Sequence, residues 1–283
     1  MNMNKISVIG AGIMGRGIAY VASLSGFQVT LHDISEAAAG RARQYIEKEM
    51  KKSVEKGFIK TREMEEAMIN IEYTTDLVKA GENADLVIEA ILEIIDLKID
   101  LFKQLDEICP PHTIFATNTS TMSPTEIGAQ TSRPAKFIAM HFFNPVHKMK
   151  LIEIIRGLDT SEETVQTVQE VGRRMGKETV EVNDFPGFVT SRMNSLIGNE
   201  AINMLMEGVA SAEDIDKAVK LGLNHPMGPL EMVDLVGLDT RLRNMEHLYK
   251  TLGEKYRPSP LIVKYVKAGR LGRKNGIGFY KYE

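Results

Sequence analysis

Three glycines constrain the first forty residues of this chain more than any other feature. Gly10, Gly12 and Gly15 stand in the spacing G-x-G-x-x-G within SVIGAGIMGRGIA. A short β-rich run, Lys5 to Ile9, precedes them, and a segment with helical spacing, Ile13 to Ser25, follows. In such a turn the first glycine permits the tight bend, the second lets a pyrophosphate approach the backbone, and the third lets the helix pack on the strand. The helix start then offers unpaired amide donors and the positive end of its dipole to the phosphates. Strand character returns at Gln28 to His32, and Asp33 stands at the tip of that strand. A carboxylate there accepts hydrogen bonds from ribose hydroxyls and repels a 2′-phosphate, so the expected cofactor is NAD rather than NADP. The residue after Asp33 is Ile34, and Arg41 and Arg43 come only further along the next helix. The expected cofactor-binding set is therefore Gly10, Ala11, Gly12, Ile13, Met14, Gly15 and Asp33. Taken alone, the glycine spacing also admits a turn that holds no ligand.

The alternation that starts here continues. A charged amphipathic helix spans about Ser35 to Gly57, a strand lies near Ile71 to Thr74, an apolar run covers Asp85 to Ala90, and a helix follows from about Glu93 to Glu107. Strand-like runs recur at Thr113 to Thr117, Phe137 to Met140, Leu151 to Ile155 and Glu178 to Val182, with a helix near Ser161 to Met175. Strands alternating with helices predict an α/β fold, a Rossmann-type doubly wound and mostly parallel sheet covered on both faces. After Asp184 the texture changes to three or four helical patterns broken by Gly208, Pro226, Pro229, Gly237 and Pro258. The expected division is a dinucleotide-binding domain over 1–184 and an all-helical C-terminal domain over 185–283, with the Asn-Asp and Pro-Gly pairs at 183–187 supplying the turn.

Composition excludes several classes. With 43% hydrophobic and 26% charged residues the chain reads as an ordinary globular protein, not a disordered one. No apolar run approaches the roughly 18–20 residues of a membrane span. The N-terminal MNMNKISVIG lacks the pattern of a signal peptide, and Cys109 stands alone, which rules out an internal disulfide and a cysteine-rich zinc site. A cytoplasmic protein without a metal centre is expected. A net charge of −3 predicts no general attraction to nucleic acid.

Two polar residues sit inside apolar strands. His141 follows KFIAM and precedes Phe142 and Phe143, and Glu153 occupies the middle of LIEII. A buried carboxylate without a partner costs several kcal/mol, so Glu153 needs one, and His141 is within reach if the basic segment after Asn144-Pro145 turns the chain back. An imidazole beside a buried carboxylate has a fixed tautomer and a stabilised cation, which suits a general base. Equally, a histidine after a strand can be a structural hydrogen-bonder and a strand glutamate can face outward. His112, His147, His225 and His247 lie in polar or turn settings, and His32 is near the cofactor by position only. Upstream, TNTSTMSP places Asn118, Thr119 and Ser120 at the carboxyl edge of a strand, where open α/β sheets bind ligands, and Ser123 ahead of Pro124 reads as a helix cap.

The ordered set GAGIMGRGIA, VIEAILE, TNTSTMSPTEI, HFFNPVHKMKLIEII, DFPGFVTSR, HPMGPLEMVDLVGLDT and GRKNGIGFYKY resembles the monofunctional L-3-hydroxyacyl-CoA dehydrogenases, with motifs along essentially the whole chain. The bacterial 3-hydroxybutyryl-CoA dehydrogenases are most similar. The resemblance implies that His141 is the catalytic base, Glu153 its orienting carboxylate, and Ser120 a substrate partner close to both ligands. It adds Glu93, Lys98, Asn144 and Lys274 to the cofactor-binding set. From the residues alone, Lys98 and Lys274 read as solvated charge. One position departs from the family pattern: Ser191 replaces the asparagine usual before the arginine after PGF, and it is carried as a substrate contact, with Asn194 one helical turn later. Lys51, Lys52 and Lys56 in EKEMKKSVEKG offer charge to the nucleotide end of CoA, Lys52 and Lys56 being the expected contacts, although such a run is usually a solvated face.

The expected reaction interconverts a short-chain 3-hydroxyacyl-CoA, such as 3-hydroxybutyryl-CoA, and its 3-ketoacyl partner, such as acetoacetyl-CoA. GAGIMG also resembles the 3-hydroxyisobutyrate and 6-phosphogluconate dehydrogenases, whose lysine at the start of a long helix has no counterpart between Ser191 and Glu200. A non-catalytic NAD-binding protein is the other alternative, and it would have no need of His141, Glu153 and Ser120. The Met-containing segment MNSLIGNEAINMLMEG packs its own domain or a second subunit, and the family resemblance implies a homodimer through the C-terminal domain.

Overall fold

The structure, a computed structural model, describes residues 3–282 and divides into two compact units at Asp184/Phe185. In the first, eight strands form one sheet: β1 (Lys5–Ile9), β2 (Gln28–His32), β3 (Ile71–Thr74), β4 (Leu86–Glu89), β5 (Ile114–Thr117), β6 (Phe137–Phe142), β7 (Leu151–Arg156) and β8 (Glu178–Asn183). Their spatial order is β3-β2-β1-β4-β5-β6-β7-β8. All pairings are parallel except β6 with β7, which run antiparallel, as the mostly parallel expectation requires.

The strands read as continuous apolar runs because both faces are covered. Along β4, Leu86 and Ile88 enter one core and Val87 the other; along β5, Ile114 and Ala116 oppose Phe115; along β6, Ile138 and Met140 oppose Phe137. This is the two-residue period of a strand with a layer on each side. Helices α1 (Ile13–Leu24), α2 (Glu36–Glu55) and α7 (Glu162–Arg174) bury Ile18, Ile46, Met50, Val165 and Val168 in the first core. The helix α5 (Ile95–Ile108) closes the second with Leu101, Phe102 and Leu105. Three shorter helices, α3 (Thr61–Ile69), α4 (Leu77–Gly81) and α6 (Pro124–Gly128), fall in segments with no legible periodicity. As its position before Pro124 suggests, Ser123 caps α6, its hydroxyl accepting from the Glu126 amide at 3.2 Å.

Chain order reverses between β1 and β4. Strands β2 and β3 extend the sheet on one side, then the chain crosses to β4 and builds the other, and ligands bind in the crevice that opens outside the carboxyl ends of the strands at such a switch point. The glycine turn sits there.

Among the described residues the second unit holds five α-helices, α8 (Thr190–Met206), α9 (Ala212–Gly222), α10 (Pro229–Val236), α11 (Leu238–Leu252) and α12 (Pro260–Lys267), one more than the largest number legible in the sequence, because α10 and α11 are parted by the single residue Gly237 at φ +99°. Ile202, Ile215, Leu230, Val233, Leu238 and Ile262 form its core. Two buried carboxylates tie that core to its ends. Asp216 accepts the amides of Leu230 (2.8 Å) and Glu231 (2.9 Å) and so caps α10 from a neighbouring helix. Asp234 accepts the amides of Phe279 and Tyr280 and the Tyr282 hydroxyl, each at 2.9 Å, and so fixes the C-terminal segment. Gly278 leaves the space Asp234 occupies, since a Cβ there would lie 2.0 Å from the carboxylate. Asp234→Ala strips the acceptor from two amides at about 1–3 kcal/mol for each group left without one. Urea unfolding followed by far-UV dichroism is expected to register that loss, and a change below about 0.5 kcal/mol, the scatter of neutral surface changes, would deny the clamp its role.

Candidate functional site

The hairpin of β6 and β7 resolves the two misplaced polar residues. His141 lies within β6, not after it, and pairs in register with Glu153 of β7. The turn between them is closed by the amides of Lys148 and Met149, both donating to the Pro145 carbonyl at 3.0 Å. Side chains of directly opposed residues project from the same face, so the register alone brings imidazole and carboxylate together. His141 Nδ1 is 2.7 Å from Glu153 Oε2, with Glu153 fully buried and His141 7% exposed. The carboxylate only accepts, so Nδ1 carries the proton and proton exchange falls to Nε2. The ring also packs on Phe143, with centroids 4.5 Å apart. Asn118, at the tip of β5, accepts the Phe142 amide at 2.9 Å and locks the neighbouring strand ends together.

At the switch point Gly10 and Gly15 have a steric reason and Gly12 leaves open space. Gly10 has φ +104°, and a Cβ on it would lie 2.6 Å from the Ala90 carbonyl oxygen; a Cβ on Gly15 would lie 1.7 Å from the Gly10 carbonyl oxygen. Gly12 is the N-cap of α1, without a side-chain cap, and the space in front of its Cα is open. Unpaired amides at an uncapped helix start, with room before them, make an anion site. Asp33 is held by two amides, from Ala11 to Oδ2 (2.9 Å) and from Ser35 to Oδ1 (3.0 Å), which aims the carboxylate beside the turn. The cleft in front measures about 610 Å³, with apolar walls that include Ile13, Met14, Ile34, Leu92 and Leu97. Ile34 is 92% exposed and Leu92 70%, apolar surface suited to the face of an adenine ring. His32 lines the same cleft, as its position suggests, and burial holds its imidazole below the ordinary histidine range, so it sits there neutral.

Lys98 overturns its solvated reading. Its ammonium is buried, 2.6 Å from Glu89 Oε1 and 3.1 Å from Glu93 Oε2. Glu89, the last residue of β4, also accepts the Ile91 amide and the Thr117 hydroxyl, each at 2.7 Å. Glu93 in turn accepts the Ser120 amide at 3.0 Å and the Thr119 hydroxyl. Glu93, Lys98 and Ser120 thus form one network at the carboxyl edge of β4 and β5. Glu89 and Thr117 were missed as members, whereas Thr119 stands in the strand-edge segment already singled out. A glutamate ending the apolar run of β4 is the same anomaly as Glu153 in LIEII and was the available signal.

Asn144 is exposed at the start of the β6–β7 turn, near His141 in sequence. Lys52 and Lys56, at the end of α2, line a separate concavity of about 440 Å³ together with Tyr20, Phe58, His147 and Lys177. Lys52 is already paired with Glu49 at 2.6 Å. In the helical unit, Ser191 and Asn194 are half-buried on the first turns of α8, and Lys274 pairs with Asp239. That ion pair gives Lys274 a local structural partner which its basic GRKNG context did not reveal.

Known proteins are similar to this chain over nearly its whole length. Residues 5–185 match the NAD binding domain of 3-hydroxyacyl-CoA dehydrogenase, and residues 187–282 match the C-terminal domain of the same family. A 3-hydroxybutyryl-CoA dehydrogenase of Clostridioides difficile is 45% identical over 279 residues, covering 98% of this chain and 99% of that protein. The human mitochondrial hydroxyacyl-coenzyme A dehydrogenase is 39% identical over 288 residues, covering 99% of this chain and 92% of that protein. The crystal structure of (S)-3-hydroxybutyryl-CoA dehydrogenase from Ralstonia eutropha superposes with a TM-score of 0.96 at 41% identity, each chain covered completely. The reading as a dehydrogenase of free hydroxy acids is therefore set aside. With both domain matches, full-length relatives and a glycine turn shaped for the cofactor, the chain belongs to the NAD-dependent 3-hydroxyacyl-CoA dehydrogenase family.

Proposed function

We propose that this protein interconverts (S)-3-hydroxybutyryl-CoA, or another short-chain 3-hydroxyacyl-CoA, and the corresponding 3-ketoacyl-CoA. The observation that carries the reading is the buried His141–Glu153 pair, set on adjacent strand ends of the sheet that carries the glycine turn. Bound NAD(H) would be held by the amides at Gly10 to Gly15 and by Asp33, with Glu93, Lys98, Asn144 and Lys274 as further cofactor contacts, and would accept or donate the hydride. In oxidation, Nε2 of neutral His141 takes the proton of the 3-hydroxyl. The carboxylate of Glu153 stabilises the imidazolium that results, and because it is already in place, no reorganisation is needed as charge develops. In reduction the same nitrogen returns the proton to the ketone oxygen. Ser120 holds the reacting oxygen, Ser191 contacts the substrate where the family has asparagine, and Lys52 and Lys56 bind the nucleotide end of CoA.

The helical unit leaves Val189, Met193, Met206 and Leu235 each more than 40% exposed, which fits burial against a second copy, so the working form is a homodimer. Among the described residues no helix is long and apolar enough to cross a membrane, and the cytoplasm, where acyl-CoA and NAD(H) meet, is the proposed location.

Oxidation of NADH with acetoacetyl-CoA, followed at 340 nm, tests the reading directly. The wild type is expected to turn over, and His141→Gln to lose about 10²–10⁴-fold in kcat, the usual contribution of a general acid-base, with NADH affinity kept. An inactive wild type would defeat the reading, and a near-normal variant would remove His141 from it. Asp33→Ala is expected to bring the kcat/KM values for NADH and NADPH together by at least tenfold; an unchanged ratio would take Asp33 out of cofactor selection. Light scattering on the eluting protein is expected to give twice the 31.6 kDa chain mass, and a monomeric mass would contradict the dimer.

A further inference from the structure

Lys177 is a buried cation that the reaction does not use. It lies between α7 and β8, only 7% exposed, and no carboxylate approaches it closely enough to form an ion pair among the described residues. Its ammonium donates instead to two main-chain carbonyls, those of Val146 (2.5 Å) and Met149 (2.8 Å). Burial pulls its pKa below the ordinary lysine value, the mark of a cation compensated by dipoles alone.

Both acceptors belong to the turn that joins β6 to β7. The turn is also held at Val146, whose side chain fits against Gly17 of α1, where a Cβ would come within 2.8 Å of its Cγ2. One strand further, the Glu178 amide donates to the Lys150 carbonyl at 2.8 Å and starts the parallel pairing of β7 with β8. The turn is therefore fixed between the helix that follows the glycine turn and the start of β8, and Lys177 supplies the polar half of that grip.

The energetics argue against a purely stabilising role. Burying an ammonium costs several kcal/mol, and two hydrogen bonds to neutral carbonyls return only part of it; an apolar side chain of similar length would avoid the cost. What the lysine adds is position. A strand slipped by one residue exchanges its two faces, and the buried neighbours of His141 and Glu153 forbid that slip; the turn sets the finer height at which the two strand ends meet.

Resting on the proposed reaction, we infer that Lys177 is a positioning residue: by tying the Val146 and Met149 carbonyls it holds the β6–β7 turn at the length and height that keep His141 against Glu153. It lines the wall of the Lys52–Lys56 concavity but is no part of the His141–Glu153 pair. Misplacing a catalytic group by about 1 Å from a distance can cost about 100-fold, so Lys177→Met is expected to lower kcat for acetoacetyl-CoA reduction about 10- to 100-fold. KM for NADH should stay within twofold, because Asp33 and the glycine turn are untouched. The decisive arm is a double-mutant cycle. In a His141→Gln background, Lys177→Met should lower the residual kcat by less than threefold, since the group it positions is gone. An active wild type with unchanged kcat in Lys177→Met would overturn the inference and leave the proposed reaction standing, whereas an inactive wild type would remove the reaction itself. Fully additive losses in the double variant would also overturn it. If Lys177→Met does not fold, Lys177→Gln, which keeps one donor, takes its place in the same cycle, and failure of both to bind NADH would make the lysine a plain requirement of folding and end the proposal.

Discussion

The antiparallel pairing of β6 with β7 is the constraint on which the site depends. Every other pairing in the sheet is parallel, and parallel neighbours are joined by crossovers of a dozen or more residues that leave their relative height to long-range packing. A hairpin sets height locally. Because Met140 faces Ile154 and Phe142 faces Ile152, His141 can only face Glu153, and the apolar neighbours on the same two strands enforce the register by needing to be buried. The core thus sets the pair: Ile152, Ile154, Met140 and Phe142 hold His141 and Glu153 between them at a 2.7 Å contact.

Two buried charge systems stand at the carboxyl end of this sheet, and their energies set them apart from the surface ion pairs. Exposed pairs such as Arg62 with Glu66 contribute little and are screened by salt. Glu89 with Lys98 is buried on both sides, so each charge has lost several kcal/mol of hydration, and the pair persists only with its further hydrogen bonds from Ile91 and Thr117 in place. Such an arrangement is a poor device for stability and a good one for rigidity. From the buried Lys98 the network reaches outward to Glu93, which is exposed, and through Glu93 to the amide of Ser120.

Much of this was legible in advance, for reasons that differ by element. The strands could be read because burial on both faces makes them continuous apolar runs, and the glycine turn because steric exclusion at Gly10 and Gly15 admits no other residue. His141 and Glu153 could be singled out because a polar residue in such a run is costly. Their partnership needed the fold, since the twelve-residue separation says nothing of register, and the hairpin ran one residue past His141 where an ending was expected before it. Lys98 was misread because helical spacing near a helix start does not reveal that Glu89 lies beneath it. Glu89 itself escaped notice although it breaks an apolar run as plainly as Glu153 does. The short helices α3, α4 and α6 lacked enough turns to show a period, and the single glycine between α10 and α11 hid a helix break that only a positive φ discloses.

In the proposed reaction, Ser191 bears on specificity through the same physics. A site built to hydrogen-bond a substrate group discriminates by leaving its own buried donors and acceptors unpaired when that group is missing. Asparagine brings a donor and an acceptor on a side chain one bond longer; serine brings a single hydroxyl that turns to suit its partner. Exchanging one for the other trades a fixed, two-sided contact for an adjustable one. In that proposed reaction the fixed part of the chemistry falls more heavily on the sheet, where strand register pairs His141 with Glu153 and burial holds Glu89 against Lys98, than on the rotamer of one side chain on the half-buried first turn of α8.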